Sequence, residues 1–378
     1  MSSVAGIIFS NIHDNNIPEL TRMRTIASVP FGCRYRFIDF TLSNMVNSDI
    51  YNIYVVTHNN YNSLMDHLGS GKDWDLARRS GGIKILPPNA LAYSASGSDV
   101  YTTRLGALKS ISHAILRIKE DYVVLSDCDA ICNIDLNDVV EQHISTGADM
   151  TFVVKDMDVT AAKAENSTIF FSDSEKRATD VLAYPKNFEG RGEFCLNIIV
   201  VSTKYLQQMV VDATAHSYTS MTRDIISRNV GHANYYVYKY DGFFGDVSSM
   251  EDYFKLSMEI INSPAARDSL FNVPNRPVYT KVRYSTPAYY SSDSSVSNSL
   301  IADGCQIHGT VENSILFRGV KVGKGAVVRN SILMQDTGVG DNAELNCVIS
   351  DKNAVISENT VLSGASSLPF YIMKGKKI

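Results

Sequence analysis

The sequence predicts two domains in series: an α/β domain with a mostly parallel sheet, then a left-handed parallel β-helix. Three observations carry that reading. Short apolar runs alternate with helix-patterned segments from the start to about residue 263. A proline-bearing stretch, residues 264–285, follows and reads as a linker. Beyond it the helical pattern disappears, and across residues 286–378 apolar residues recur every six positions. Alternating strands and helices build parallel sheets of the Rossmann-like kind. A short fixed repeat marks a solenoid, whose coils bury a core only when several are stacked.

Each element has its own signal. Val4–Phe9 is an apolar run short enough for a buried strand, and the polar Ser10–Asn16 turns after it. Val29–Asn44, rich in Phe, Tyr, Arg and Asp, leads into a helix. Ile53–Thr57 reads as a strand, Tyr61–Leu68 as a helix stopped by Gly69, and Ile83–Leu86 as a strand closed by Pro87 and Pro88. Leu105–Lys119 places Leu105, Leu108, Ile111, Ile115 and Ile118 on one helical face. Tyr122–Leu125 is another buried strand, with aspartates directly after it. Ligands of such sheets bind at the carboxyl ends of the strands. The six-residue repeat joins Ile301 to Ile307, Val322 to Val328 and Met334, Val339 to Leu345, and Val355 to Val361. A β-sandwich would alternate at two, which is not sustained. A hexapeptide acyltransferase would need a catalytic histidine between coils, and His308 stands alone in this region.

Composition narrows the function classes. The 378 residues are 20 % charged and 44 % hydrophobic with a net charge of −5, so no nucleic-acid footprint is present. The six cysteines (Cys33, Cys128, Cys132, Cys195, Cys305, Cys347) fall into no disulfide or zinc spacing, which suits reduced thiols in a cytoplasmic protein. The first residues lack a basic region followed by a long apolar run, so no signal peptide is expected. No run approaches about 18 apolar residues, so no membrane span is expected.

Two stretches carry a resemblance. VPFGCRYRFIDFTLSN (Val29–Asn44) matches most of the pattern KPAVPFGGKYRLIDFxLSN, and Ser299–Gln335 resembles the C-terminal domain of the same proteins. They are the sugar-nucleotide pyrophosphorylases, most closely the glucose-1-phosphate adenylyltransferase (ADP-glucose pyrophosphorylase) family. The resemblance implies a nucleotidyltransferase-like α/β domain, a β-helix, and adenylyl transfer from ATP to glucose 1-phosphate with Mg²⁺. Val123–Asp135 resembles the family's GDHIYxMD and aligns Asp129 with its Asp, Asp127 being the choice if the register slips by two. Phe243–Ser249 resembles YWxDVGT and aligns Asp246. Asp129 and Asp246 are thus the expected Mg²⁺ ligands.

The departures from the family pattern are as informative. The Gly-rich GGxGxRL loop falls on Ser10–Asn16, which has neither Gly nor Arg. A phosphate-gripping turn needs positive φ and close N–H approach, and gains from an Arg on the anion. Asparagine tolerates left-handed backbone, so the turn itself is expected to survive as a vestigial loop of Ser10, Asn11, His13 and Asp14. The base-pocket motif YxGTADA falls on Gly97–Ala107. Tyr101 matches, whereas Arg104 and Leu105 would fill the pocket, or Arg104 would begin a site for an anionic regulator. The family's EKP looks like Ala183-Tyr184-Pro185, so Tyr184 stands at the phosphate-binding Lys, with Lys186 nearby. Its ASMGIYVF looks like Phe194–Val201, placing Ser on Cys195 and Gly on Asn197. Arg22, Arg24, Arg34 and Arg36 cluster early, either as an anion or effector site or as structural ion pairs.

Loss of the triphosphate loop, base pocket and sugar-phosphate lysine together implies a non-catalytic or weakly catalytic regulatory subunit. The resemblance implies a GlgC-type catalytic subunit as partner, in a heterotetramer making ADP-glucose for glycogen, and a phosphorylated metabolite as effector. The alternatives are an active adenylyltransferase with a rebuilt pocket, or a module that senses a sugar phosphate or nucleotide without chemistry.

Overall fold

The computed structural model describes residues 3–87 and 101–378; Pro88 and Gly97–Val100, invoked above, lie outside the described residues. The first domain is built on a nine-stranded sheet. Its strands are β1 (Val4–Phe9), β2 (Asn52–Val56), β3 (Gly82–Leu86), β4 (Tyr122–Asp127), β5 (Met150–Val159), β6 (Thr168–Ser172), β7 (Ala178–Ala183), β8 (Gly190–Ser202) and β9 (Tyr235–Lys239). Their order is β9-β5-β8-β4-β1-β2-β3, with the β6–β7 hairpin attached to β8. Pairing is parallel from β4 through β1 and β2 to β3, and between β5 and β9; β8 runs antiparallel to β4 and β5. The unbroken apolar run of β1 follows from cover on both faces. Phe9 at its end lies in register with Asp127 at the end of β4. The residues that follow these two strands therefore meet at the carboxyl edge of the sheet.

Helix α1 (Phe37–Val46) is buried at all ten positions. Leu42 and Met45 pack on the sheet beside α2 (Asn62–Leu68), while Phe37 and Phe40 face a separate core. Gly6 permits the close approach: a Cβ there would stand 2.6 Å from the Met45 sulfur. Asp39 accepts from the backbone N–H of Arg36 at 3.0 Å and closes the first turn. The opposite sheet face carries α3 (Arg104–Ser110) and α4 (Thr203–Ala215), through Leu105, Leu108, Leu206 and Val210. The expected single helix Leu105–Lys119 breaks at Ile111, and Ser112–Ile115 forms a separate turn. The Ser110 hydroxyl donates to the Ala107 carbonyl at 2.7 Å, a local bond that competes with the helix ladder. All five apolar residues are nevertheless buried.

The stretch read as a linker starts with a helix, Pro264–Phe271, with Ser263 capping it and Pro264 in its first turn. Asn133 donates to the carbonyls of Leu270 and Arg276, so this segment is tied to the α/β domain. The C-terminal domain is a left-handed parallel β-helix of three five-stranded parallel sheets. On one side Val311, Val328, Leu345 and Leu362 stack 17 positions apart, one fewer than three six-residue sides would require. The short third side shifts the inward set. Leu333, not Met334, points into the coil; Met334 is buried outside it, against the first domain. Ile356 is 1 % exposed, whereas Val355 and Val361 are 45 % and 68 % exposed. Corner asparagines Asn298, Asn313 and Asn330 adopt positive φ, and their side-chain amides form a ladder ending on Asn346.

A shared core joins the domains. Phe31, Phe37, Phe40, Tyr253 and Phe254 pack with Phe317, Ile332, Met334 and Ile349 of the β-helix. Arg24 donates to both oxygens of Asp351 at 2.8 Å, and both residues are buried. No helix among the described residues is long and apolar enough to cross a membrane.

Candidate functional site

Ser10 and Asn11 tie the loop after β1 to the neighbouring strand. Ser10 Oγ donates to the Val56 carbonyl at 2.9 Å. Asn11 Oδ1 accepts from Thr57 Oγ1 (2.9 Å) and the His58 N–H (3.1 Å), while its Nδ2 donates to Asp14 at 2.7 Å. Asp14 also accepts the Ile26 N–H at 2.7 Å. Burial pushes the Asp14 carboxyl up to about 6 against these bonds. No residue from 10 to 16 has positive φ, so the left-handed turn expected of the asparagines does not form. A short 3-10 turn, Asp14–Asn16, takes its place, braced by side chains of the loop itself.

This loop places His13 over the carboxylates at the end of β4 and just after it. His13 Nδ1 pairs with Asp129, and its Nε2 lies 3.6 Å from Asp127. Arg104, the first residue of α3, donates Nε to both Asp127 oxygens at 3.0 Å and pairs with the same carboxylate through Nη2. Burial opposes the charge on His13, but Asp129, its hydrogen bond and Asp127 outweigh it and raise the imidazole to about 9. His13 is therefore a cation at neutral pH. Burial likewise opposes ionisation of Asp129, and His13 and Arg104 overcome it, holding this carboxyl below its ordinary range. The backbone pairing of Ile131 with Gly245 brings Asp246 to the same edge. Asp246 accepts from Ser248 Oγ at 2.9 Å and lies 3.9 Å from Lys163 Nζ. Burial, then the charge of Asp129, raises its carboxyl.

Helix α1 supports this edge from behind. Thr41 Oγ1 donates to the Asp127 carbonyl at 3.2 Å. Asn44 donates to the Cys132 carbonyl at 3.0 Å and accepts the Ile134 N–H at 3.2 Å. The polar residues of FIDFTLSN thus hold the aspartate-bearing segment in place.

A cavity of about 410 Å³ opens beside the cluster, bounded by His13, Arg104, Tyr184, Asn197, Arg223 and Asp246. Asn197 has φ +57, the conformation that glycine adopts most readily, at the position where the resemblance places Gly. The Arg223 guanidinium lies 5.3 Å from the Tyr184 ring centre. Three expected substrate residues are elsewhere. Lys186 is exposed and does not line the cavity. Cys195 is buried in the sheet core, where burial lifts its thiol to about 11. Tyr101 packs edge-on against His58, and its hydroxyl has no partner among the described residues.

Residues 17–263 match the nucleotidyl transferase family, and residues 287–366 match the GlmU-like C-terminal hexapeptide family. Glycogen biosynthesis protein GlgD of Bacillus subtilis is 32 % identical over 377 residues, spanning 99 % of this chain and 96 % of that protein. Glucose-1-phosphate adenylyltransferase of Fervidobacterium nodosum is 32 % identical over 365 residues, spanning 96 % and 84 %. GlgD of Geobacillus stearothermophilus is 36 % identical over 330 residues, spanning 86 % and 83 %. The chain belongs to the glucose-1-phosphate adenylyltransferase family. It is thereby related to proteins of glycogen biosynthesis.

Within this family member, the five arginines proposed for an anion divide, and Arg22 is exposed and lines neither cavity nor cleft. Arg24 is consumed by Asp351 and Arg104 by Asp127, so both act structurally. Arg34 and Arg36, from the hairpin Pro30–Phe31/Tyr35–Arg36, line a narrow cleft with Arg283, Arg318 and Lys352. Arg36 donates to the carbonyl and hydroxyl of Ser63, and Arg318 pairs with Asp303 at 3.0 Å. No carboxylate is among the residues described as lining this cleft. Burial, then Arg36, Arg24 and Arg283, bring the Lys352 ammonium down to about 7. Arg223, Arg283, Arg318 and Lys352 escaped the sequence reading, because each looks like an ordinary surface cation until the fold assembles it.

Proposed function

We propose that this chain is a non-catalytic or weakly catalytic regulatory subunit of ADP-glucose pyrophosphorylase, working in the cytoplasm on glycogen biosynthesis. Its partner is a GlgC-type catalytic subunit, in a heterotetramer, whose turnover or effector response it changes. The observation that carries this reading is the neutralisation of Asp127 and Asp129 by His13 and Arg104. Adenylyl transfer requires positive charge aimed at a triphosphate as negative charge develops on it. Here two of the cations at the site are spent on the chain's own carboxylates, and the loop that would grip the phosphates has no Arg. A phosphorylated metabolite is the proposed effector, taken up by the cleft of Arg34, Arg36, Arg283 and Lys352.

The test is ADP-glucose formation from ATP and glucose 1-phosphate, by this chain alone and mixed with a purified GlgC-type subunit. The expected result is no turnover alone and a several-fold change in turnover or effector response in the mixture. Substantial turnover by this chain alone overturns the proposal. It would favour an active enzyme with a rebuilt pocket, a reading that the open cavity beside Asp246 and Arg223 keeps in play. Saturable sugar-phosphate binding with no effect on the partner would instead favour a sensing module.

A further inference from the structure

We infer that the divalent-cation site expected at the end of β4 has been exchanged for two built-in side chains, His13 on Asp129 and Arg104 on Asp127, so that this chain takes up no metal there. By spacing alone the place suits a metal: donor atoms of His13, Asp127 and Asp129 lie within 4.8 Å of one another. The chemistry of the donors does not. A ligating histidine must offer a lone pair, and ligating carboxylates must be free to turn oxygens to the ion. Mg²⁺ is also particular about geometry and prefers oxygen donors, several of them water. Both Asp127 oxygens receive hydrogen bonds from Arg104. Asp129 is covered by His13, and Asp246, the second expected ligand, is bonded by Ser248 with Lys163 nearby. A divalent ion would have to displace a guanidinium or an imidazole, or sit against both.

The exchange explains two sequence departures together. His13 comes from the loop that lost its Gly and Arg, and Arg104 from the segment at the base pocket. Read separately they are two losses. In the fold they are two halves of one substitution, meeting at 3.3 Å over the carboxylates.

Mn²⁺ serves as the probe, by its paramagnetic resonance signal and by thermal shift of the full chain. The wild-type chain is expected to bind no Mn²⁺ at this site and to show no Mn²⁺-dependent change in Tm. His13→Gln combined with Arg104→Gln uncovers the carboxylates. That variant is expected to gain one bound Mn²⁺ and a Tm rise of about 5 °C at saturating ion. Adding Asp129→Asn should abolish the gain. One Mn²⁺ bound by the wild-type chain and lost on Asp129→Asn overturns the inference, whether or not the double variant folds. A folded double variant that takes no Mn²⁺ overturns it as well. Neither outcome depends on the partner assay, so failure here and failure of the regulatory reading are distinguishable.

Discussion

Lys352 faces Arg36, Arg24 and Arg283, with Asp351 as the opposing charge, and its ammonium falls from 10.5 to about 7. Below about 7 it is charged in the folded and unfolded chain alike, and the repulsion is felt in full. Between about 7 and 10.5 the unfolded chain alone holds the proton, so stability rises with pH across that window. Urea unfolding at several pH values should show this rise, and Lys352→Met should flatten it. An unchanged slope in the variant would mean that Lys352 does not titrate there. Phosphate bound in the cleft should raise the Lys352 pKa and move the start of the window upward. At this scale the sequence was legible for placement where a motif carried the residue, as with Asp129 and Asp246 at the carboxyl edge of the sheet. It was not legible where function depends on meeting: His13 and Arg104 are 91 positions apart, and nothing local says that each will find a carboxylate.

At the scale of elements, the β-helix provides the sharper lesson. Six-residue spacing identified the coil but not its phase, because from Val311 to Leu362 one side of each turn is a residue short and Val355-Ile356 offers two apolar choices. Val355→Glu should change stability by less than about 0.5 kcal/mol, as an exposed site does. Ile356→Glu would bury a carboxylate inside the coil and should cost about 4 kcal/mol or more. Urea midpoints of the two variants decide the register, and the reverse ranking would refute it. Helix α3 makes the same point in reverse. The apolar face was legible over five residues from Leu105 to Ile118, yet the helix stops at Ser110, whose hydroxyl bonds back to the Ala107 carbonyl.

At the scale of the whole molecule, the two domains were legible as a change of period near residue 285, but their union was not. The fold places Phe31 and Phe37 of the first domain in one core with Ile332 and Ile349 of the β-helix, a meeting that no local pattern announces. The molecule is therefore expected to unfold in a single calorimetric transition. Asp351→Ala leaves Arg24 buried without its carboxylate, a change worth about 3–5 kcal/mol, which should lower that transition by about 4–6 °C. Two separate transitions in the wild-type chain would show that the shared core does not couple the domains.

Helix α1 has a mechanical consequence as well as a packing one. The Arg36 backbone that begins it belongs to the basic cleft, and Thr41 and Asn44 on the same helix grip the segment that carries the buried aspartates. It is a strut about 15 Å long with no free surface along it. An anion drawing on Arg36 can reach the aspartates along this route only by moving the strut as one piece.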